Sequence, residues 1–413
     1  MFSFQLSADQ QEFRDTVRDF VTREVKPVAN HPDRLQAEDM HFVPAILEQA
    51  SQMGLRTFAL SEALGGAGAD TLTACVVAEE LAAGDIGFAA TLARTSELGH
   101  VLFDLAMNDA QRKQFLDKFL SDDSFHLAYA GCDREGDDGG WNYYRNDKSE
   151  VEIPVVAAAK GSDLVLNGTY KFVANAPLAK LIAVQVKTDA KASGLNSAAI
   201  VLVPAGTAGM SVKEPGKVET DANGEDTYRW FHGTGGSVTF KDCKVPAANV
   251  LAGRTQLFGA AAAAGCGSPI EQALNVGLGR AAYESAVDYA KIRVQGGRPI
   301  IEHQAVGNIL AEIAIRLETS RNLVWKAAYA ADHAAEYAGI SELPLQIMAK
   351  AYVSHAVHEA ALLAAECFGA MGVMKDMPQP HYVHNALVFV HSDTSNSTAK
   401  LRVAEAIAEF KRG

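Results

Sequence analysis

A block of short β-rich segments interrupts an otherwise helical sequence, and this interruption constrains the fold more than any other feature. Segments such as HLAYAG, DLVLNGTYKFVANA and AAIVLVPA are rich in β-branched and aromatic residues and are separated by Gly, Asn and Pro, a pattern typical of an antiparallel sheet or barrel. Helical periodicity dominates before and after them, so the sequence predicts an α+β fold. The predicted domains are an N-terminal helical domain over residues 1–125, a central antiparallel β-domain over 126–252 and a C-terminal four-helix bundle over 253–413.

The helical regions carry their own start and stop signals. Ser7 and Gln10 form the pattern of a capping box before the amphipathic stretch EFRDTVRDFVTREV. Near the C-terminus, three long helical segments separated by short breaks predict an antiparallel bundle, and a shorter fourth helix starts at about Ser395. In the second long segment an apolar face is followed, one turn on, by Arg321.

Composition limits the class of protein and its partners. The chain has 413 residues, 48% of them hydrophobic, enough for two or three domains. A net charge of −13 disfavours nucleic acid and anionic membranes as partners. No stretch reaches the roughly 18 apolar residues of a membrane span, and the N-terminus resembles neither a secretory signal nor a transit peptide. We therefore expect a cytoplasmic protein.

The cysteines predict neither a metal site nor a redox pair. Five cysteines are scattered along the chain, and no two of them are close enough in sequence to form a metal knuckle or a dithiol. Small buried residues in a reducing compartment are the favoured interpretation.

Several segments match one family in the same order and at similar intervals. The stretches VLNGTYKFVANAPLAKLIAVQVKT and VTFKDCKVPAANVLAG lie in the β-rich block, and YAKIRVQGGRPIIEHQAV and AECFGAMGVMKDMPQP lie in the last helical region. Together they resemble the acyl-CoA dehydrogenases. This resemblance implies a helical domain, a β-domain and a helical bundle, with FAD as cofactor.

The resemblance assigns two sets of residues to the cofactor. In the β-domain, FVA stands for the family motif Trp-Ile-Thr/Ser, so Ala174 replaces the hydroxyl residue beside flavin N5. In the bundle, Arg293 stands where the family contacts the FAD pyrophosphate of a neighbouring subunit, although a cation complementing its helix dipole is an alternative interpretation. The bundle helices retain broad apolar faces, so we expect a homotetramer built from dimers. The further positions assigned to FAD are Phe172, Gln304, Glu366 (Gln in the family), Gly369, Gly372 and Thr394.

Three residues are predicted to contact the substrate. Arg94 and Glu97 belong to the segment that forms the far end of the acyl pocket in the family, so they are candidates for binding a polar or carboxylated acyl group. An exposed charge pair on a helix is the alternative interpretation. Tyr129 begins a stretch that, in the family, covers the flavin and part of the thioester site.

The usual catalytic base is missing. Dehydrogenation of a thioester requires a carboxylate to remove the α-proton while the β-hydrogen leaves as hydride to flavin N5. Ser392 and Gly267 stand at the two positions where family members carry this Glu. Asp393 is one candidate, with capping of the last helix as its alternative role. Glu271, one turn beyond Gly267, is the other, with an exposed helix charge as its alternative.

Two classes of function remain. The first is a flavoenzyme that dehydrogenates an acyl-CoA or another acyl thioester and passes electrons to an acceptor flavoprotein. The second is a non-catalytic or half-site subunit, which contributes Arg293 and Gln304 to the flavin of a sister chain in a heterotetramer. A family member with different flavin chemistry would also tolerate the loss of the base. The acyl group itself is not encoded in any motif.

Overall fold

Helices at both ends of the chain enclose a central sheet, as the sequence predicts. The computed structural model describes residues 5–31, 44–131, 153–189, 198–214, 230–251, 268–333, 343–392 and 395–408. Strands occupy the region from His126 to Pro246, and helices precede and follow it. The domain boundaries at 125 and 252 stay predictions.

Among its described residues, the N-terminal part contains five longer helical elements. The helices are α1 (Ala8–Phe20, continued by a π-helical turn Val21–Val25 and by Lys26–Ala29), α2 (Pro44–Gln52), α3 (Thr71–Ala82), α4 (Ile86–Gly99, continued by a π-helical segment His100–Ala106) and α5 (Asp109–Ser121). The predicted capping box begins α1: Gln10 N donates to Ser7 Oγ at 3.1 Å, and Ser7 N donates to Gln10 Oε1 at 3.0 Å.

The central sheet is mixed rather than purely antiparallel. Its strands are β1 (His126–Ala130), β2 (Val155–Lys160), β3 (Asp163–Ala174), β4 (Ala179–Lys187), β5 (Ala198–Pro204), β6 (Met210–Lys213) and β7 (Gly235–Pro246). The strand order is β1-β4-β2-β3-β7-β6, with β5 also paired to β4. The pair β1–β4 is parallel, with Tyr129 opposite Ala183. The chain reaches β4 only after forming β2 and β3, so no tight hairpin forces the two strands to be antiparallel.

The C-terminal bundle contains one helix that sequence patterns did not separate. Its elements are α6 (Pro269–Ile292), a hairpin of β8 (Val294–Gln295) and β9 (Arg298–Pro299), α7 (Gln304–Asp332), α8 (Leu345–Phe368), α9 (Pro378–His391) and α10 (Asn396–Ile407). Among the described residues the fourth bundle helix is α9, and the helix predicted from about Ser395 follows it and packs on α8. The sequence did not predict α9 because its start, PQPHYVH, has no helical periodicity of apolar residues. Its first residue is a proline, which is favoured in the first turn of a helix.

Apolar clusters join the three parts of the chain. One cluster connects α1, α3 and α4 with the bundle, and another connects α4, α5 and the sheet. By length and hydropathy alone, Leu345–Val373 has the properties of a membrane span. In the structure this segment includes α8, which packs against α6, α7, α9 and α10, so its apolar character is that of a bundle core.

An ionic network centred on Glu79 and Glu80 ties α1 and α3 to the bundle. Arg18 Nη2 donates to Glu80 Oε1 at 2.7 Å, and Arg280 Nη2 donates to Glu80 Oε2 at 2.5 Å. Arg321 binds the neighbouring Glu79 through Nε and Nη2 at 2.9 and 2.8 Å. Burial raises the pKa of Glu80, but the hydrogen bonds from Arg280 and Arg18 outweigh it and hold this pKa below its usual value.

Candidate functional site

The end of β3 and residues 230–235 form an aromatic platform. The Phe172 ring lies 4.5 Å from the Trp230 ring and 4.6 Å from the Phe231 ring, measured between centroids. A Cβ atom on Gly235 would lie 2.3 Å from the Phe172 ring, so only glycine allows this close packing. Trp230 is 64% exposed, which leaves an open aromatic surface beside Ala174, whose strand partner is Gly235.

The turn after β3 connects the platform to α4. Asn175 has a positive φ of 61°, a conformation that asparagine tolerates better than most residues. Its Nδ2 donates to the Thr91 carbonyl at 3.0 Å. Thr95 Oγ1, one turn further along α4, lies 3.1 Å from His126 Nδ1. Burial, followed by the positive charge of Arg56, lowers the pKa of His126 to about 4.

Arg94 links α4 to residues 230–235. Its Nη1 donates to the His232 carbonyl at 2.8 Å. The His232 ring is fixed by α9, because its Nε2 donates to the Asn385 carbonyl at 3.0 Å and its centroid lies 4.3 Å from that of Phe389. Burial, followed by the charge of Arg94, lowers the pKa of His232 to about 3, so this ring is neutral near pH 7.

Side chains of α4 meet the start of α6, and two of the predicted carboxylates take part in this contact. Glu271 Oε1 lies 3.4 Å from Arg94 Nε, and the two side chains are 24% and 27% exposed. Ser268, the residue before α6, donates its hydroxyl to Glu97 Oε1 at 3.2 Å. The structure therefore brings Glu271, predicted as a base, together with Arg94 and Glu97, predicted as a substrate-binding pair.

Several buried polar atoms around these residues make no hydrogen bond. In this part of the described chain they are Asn175 Oδ1, Thr234 Oγ1, Gln272 Oε1 and both amide atoms of Asn275. Buried polar groups almost always have partners, and bound ligands or ordered water usually supply them where the protein does not. The junction of β3, α4 and α6 is thus polar enough to receive a hydrogen-bonding ligand.

The other predicted cofactor residues lie at the opposite end of the bundle. Arg293 follows the last residue of α6, and Gln304 is the first residue of α7, beyond the β8–β9 hairpin. Tyr289 stacks on Phe368 with centroids 4.2 Å apart, so the ends of α6 and α8 coincide. The residues grouped at this end are Arg293, Gln304, Glu366, Gly369 and Gly372.

Local conformation explains both glycines of the turn after α8. Gly369 has φ of 57° and ψ of −134°, a conformation that disfavours residues with a side chain. A Cβ atom on Gly372 would lie 2.4 Å from the Ala365 carbonyl oxygen. Arg293, Gln304 and Glu366 are exposed. At 1.5 Å per residue, Arg293 is roughly 30 Å from Glu271 along the axis of α6.

Of the remaining predicted residues, the one on β1 stands apart from both groups. Tyr129 lies on β1 and packs against the cluster between α5 and the sheet. Asp393 and Thr394 lie outside the described residues. The N-cap of α10 is Ser395, whose Oγ accepts from Thr398 N at 3.2 Å, so the cap that we considered for Asp393 is provided by Ser395. Within the described residues no group of His, Cys, Asp and Glu has the arrangement of a metal site.

Sequence reasoning missed His232, Asn175 and Asn275. His232 lies in WFHGTGG, where the glycines signal close backbone packing but not the bond to Arg94. Gly233 has φ of 77°, and a Cβ atom on it would lie 2.9 Å from Thr91 Oγ1. Asn275 is fully buried within α6, a position where the helical pattern predicts an apolar residue.

The residues at the end of β3 fit an aromatic cofactor with polar edges. Phe172 and Trp230 supply flat apolar surface, and the turn supplies the unbonded Asn175 Oδ1 and Thr234 Oγ1. A flavin requires this combination of an apolar slot and a few polar groups.

Family models match both helical regions of the chain. The model described as acyl-CoA dehydrogenase, N-terminal domain, matches residues 7–123. The model described as acyl-CoA dehydrogenase, C-terminal domain, matches residues 270–408. Together the two matches cover more than half of the sequence.

Relatives and solved structures match along the whole chain. A probable acyl-CoA dehydrogenase of Bacillus subtilis, YngJ, is 26% identical over 97% of this chain and 98% of its own length. Butyryl-CoA dehydrogenase from Megasphaera elsdenii superimposes with a TM-score of 0.80 at 23% identity, covering 98% of this chain and 100% of that one. PigA, in a structure with FAD and proline, gives a TM-score of 0.80 at 20% identity, covering 98% and 99%. The structural matches show that the fold is shared.

Proposed function

Because the chain belongs to the acyl-CoA dehydrogenase family of flavoenzymes, we propose that it is an FAD-dependent oxidoreductase that introduces an α,β double bond into an acyl thioester. The observation that carries this proposal is the platform of Phe172 and Trp230 next to Ala174, beside unbonded buried polar groups. The family resemblance assigns Phe172 and Ala174 to the flavin ring. FAD, when bound, supplies the hydride acceptor.

The protein's own residues must hold the thioester and accept the α-proton. Two carboxylates are proposed for the proton, Asp393 and Glu271. Glu271 lies at the junction of α4 and α6, paired with Arg94. Asp393 is not required as a helix cap, because Ser395 fills that role. Tyr129, Arg94 and Glu97 are proposed to contact the thioester.

A second copy of the chain is proposed to complete each flavin site. Arg293 and Gln304 lie roughly 30 Å from Glu271 within one chain, so they do not serve the same pocket. Around them the side chains of Ile292 and Val373 are 78% and 79% exposed, an apolar surface that subunit contact would cover. A homotetramer built as a dimer of dimers accommodates this arrangement. Sedimentation at the mass of a monomer would contradict it.

Coenzyme A is the proposed thioester carrier, and a second flavoprotein is the proposed electron acceptor. A reduced flavin must be reoxidised after each turnover, and a protein acceptor requires an approach to the ring. The exposed ring of Trp230 leaves one side of the platform open to the approach of such a partner. Reoxidation of the reduced protein by a purified acceptor flavoprotein, measured by stopped flow, tests this part.

The visible spectrum of the purified chain is the decisive measurement. We expect flavin absorbance that a suitable acyl-CoA bleaches. Glu271→Gln and Asp393→Asn, made separately, assign the base: the base variant loses turnover by at least about a hundredfold and keeps its flavin. Protein that is colourless alone and takes up FAD only on co-expression with a sister chain would instead support the half-site subunit.

A further inference from the structure

The pairing of Arg94 with Glu271 is incomplete. Their closest atoms are 3.4 Å apart, and neither residue hydrogen-bonds the other. Charge-assisted hydrogen bonds between such groups are normally about 2.7–2.9 Å long. Within the described chain Arg94 uses only Nη1, on the His232 carbonyl, and Glu271 makes no hydrogen bond. The pair, which we call the α4–α6 pair, therefore has unused donors on one side and unused acceptors on the other.

Buried polar groups close to Glu271 along α6 are also unsatisfied. Asn275 lies one turn beyond Glu271 on the same face of α6. It is fully buried, and neither its Nδ2 nor its Oδ1 has a hydrogen-bond partner. The adjacent Gln272 is 3% exposed, and its Oε1 is unsatisfied as well. An unsatisfied buried amide costs about 1–3 kcal/mol, so a polar ligand at this junction would recover part of that cost.

We infer that the α4–α6 pair selects an acyl thioester whose chain carries a neutral group that both donates and accepts hydrogen bonds, such as a carboxamide or a hydroxyl. This inference rests on the proposed function. The guanidinium of Arg94 supplies donors, and the carboxylate of Glu271 supplies acceptors. One carboxamide satisfies both without changing the charge of the site.

Other acyl groups suit the pair less well. A carboxylate on the acyl chain would bind Arg94, but it would add a third negative charge beside Glu271 and Glu97. An ammonium group would bind Glu271, but its positive charge would be repelled by Arg94. A plain alkyl chain would remove water from both charged groups and offer no hydrogen bonds in its place. Sites built to hydrogen-bond a substrate strongly reject analogues that lack the hydrogen-bonding group.

The test compares three CoA thioesters of equal chain length that end in a methyl, a carboxamide or a carboxylate group. With the FAD-loaded wild type, we expect kcat/KM for the carboxamide to exceed that for the methyl compound by at least about tenfold. The carboxylate should also fall below the carboxamide. Equal values for all three, or a preference for methyl or carboxylate, would overturn the inference.

Variants separate the pair from the rest of the pocket. The double variant Arg94→Met/Glu271→Leu replaces both charges by apolar groups, and we expect it to bind the methyl compound more tightly than the carboxamide, whether or not it retains turnover. The matched control Arg23→Gln/Asp19→Asn alters an exposed ion pair on α1 and should keep the wild-type order. A double variant that retained the wild-type order would overturn the inference.

Binding measurements distinguish this inference from the proposed function. The same thioesters are titrated against the wild type and the double variant by isothermal calorimetry. Tighter binding of the carboxamide that is lost in the double variant, without any turnover, supports the inference and rejects dehydrogenation. If Glu271→Gln abolishes turnover of all three compounds and leaves their affinities unchanged, Glu271 is the base and the inference is wrong.

Discussion

Two ionic clusters connect the N-terminal helices to the bundle, and they differ in how completely their charges are satisfied. In the ionic network, Glu79 and Glu80 have side chains only 7% and 3% exposed, and guanidinium groups bind them at 2.5–3.2 Å. In the α4–α6 pair the charges are 3.4 Å apart and about a quarter exposed. Both clusters use the same residue types on neighbouring helices.

The difference indicates separate roles. A buried charge is tolerated only when hydrogen bonds replace its water, and the carboxylates of Glu79 and Glu80 meet that condition. The α4–α6 pair keeps contact with solvent and so retains the capacity to bind a ligand. Carboxylates that are buried and hydrogen-bonded by guanidinium groups hold helices together, whereas a partly exposed pair without a hydrogen bond, near unsatisfied amides, marks a binding site.

Removing a charge from the ionic network should have the largest effect. Glu80→Gln leaves Arg280, which is 13% exposed, without its main counter-charge. We expect a loss of about 3–5 kcal/mol in the free energy of unfolding, measured by urea denaturation. Asp19→Asn, in an exposed pair, should change it by less than about 1 kcal/mol. Similar losses for both variants would remove the distinction between the clusters.

The second-largest effect is expected from a substitution that forces residues 230–235 away from α4. Gly233→Ala introduces a Cβ atom 2.9 Å from Thr91 Oγ1 and 3.0 Å from the Gly87 carbonyl oxygen, at a φ of 77°. We expect a loss of about 3 kcal/mol in unfolding free energy and a displaced His232 carbonyl. Gly161→Ala, which has positive φ but no neighbour within 4 Å, is the matched control and should cost less.

Mild acid should reduce the free energy of unfolding through the buried histidines near α4, His126 and His232, before it affects the ionic network. The pKa values of His126 and His232 fall from 6.5 to about 4 and about 3, so the unfolded chain binds protons first and stability falls as pH drops below 6.5. Between pH 7 and pH 5 each histidine should cost about 2 kcal/mol. Glu80, with a lowered pKa, keeps its contribution over this range.

The variant His126→Leu tests this assignment. We expect the loss of unfolding free energy between pH 7 and pH 5 to shrink by about 2 kcal/mol in this variant, independently of its stability at pH 7. An unchanged pH dependence would place the acid sensitivity elsewhere.

The smallest expected effect is the coupling within the α4–α6 pair itself. A double-mutant cycle of Arg94→Met and Glu271→Leu should give a coupling energy for stability below about 1 kcal/mol. The corresponding cycle of Arg321→Met and Glu79→Leu should exceed it, because that pair is more deeply buried. Equal coupling in the two cycles would mean that the α4–α6 pair is a structural contact.

Local patterns predicted much of the fold. The capping box of Ser7 and Gln10 is confirmed, and so is the alternation of helical and β-rich regions. Family resemblance predicted the acyl-CoA dehydrogenase fold, which the matching models and structures confirm. The parallel pairing of β1 with β4 was not predictable, because neither strand's own pattern specifies its neighbour. The helix α9 was missed because its prolines and histidines hide the apolar period.

By itself the sequence determined which segments are helix or strand and which family they resemble, because those signals depend on residues close together in the chain. Tertiary structure alone decided which charges meet. Arg321 follows an apolar face in the sequence, but only packing places it on Glu79. Arg94 and Glu271 come from distant segments, and the backbone carbonyl of His232 orients the first toward the second. Burial and pairing depend on long-range contacts, so residue type alone does not distinguish a structural charge from one available to a ligand.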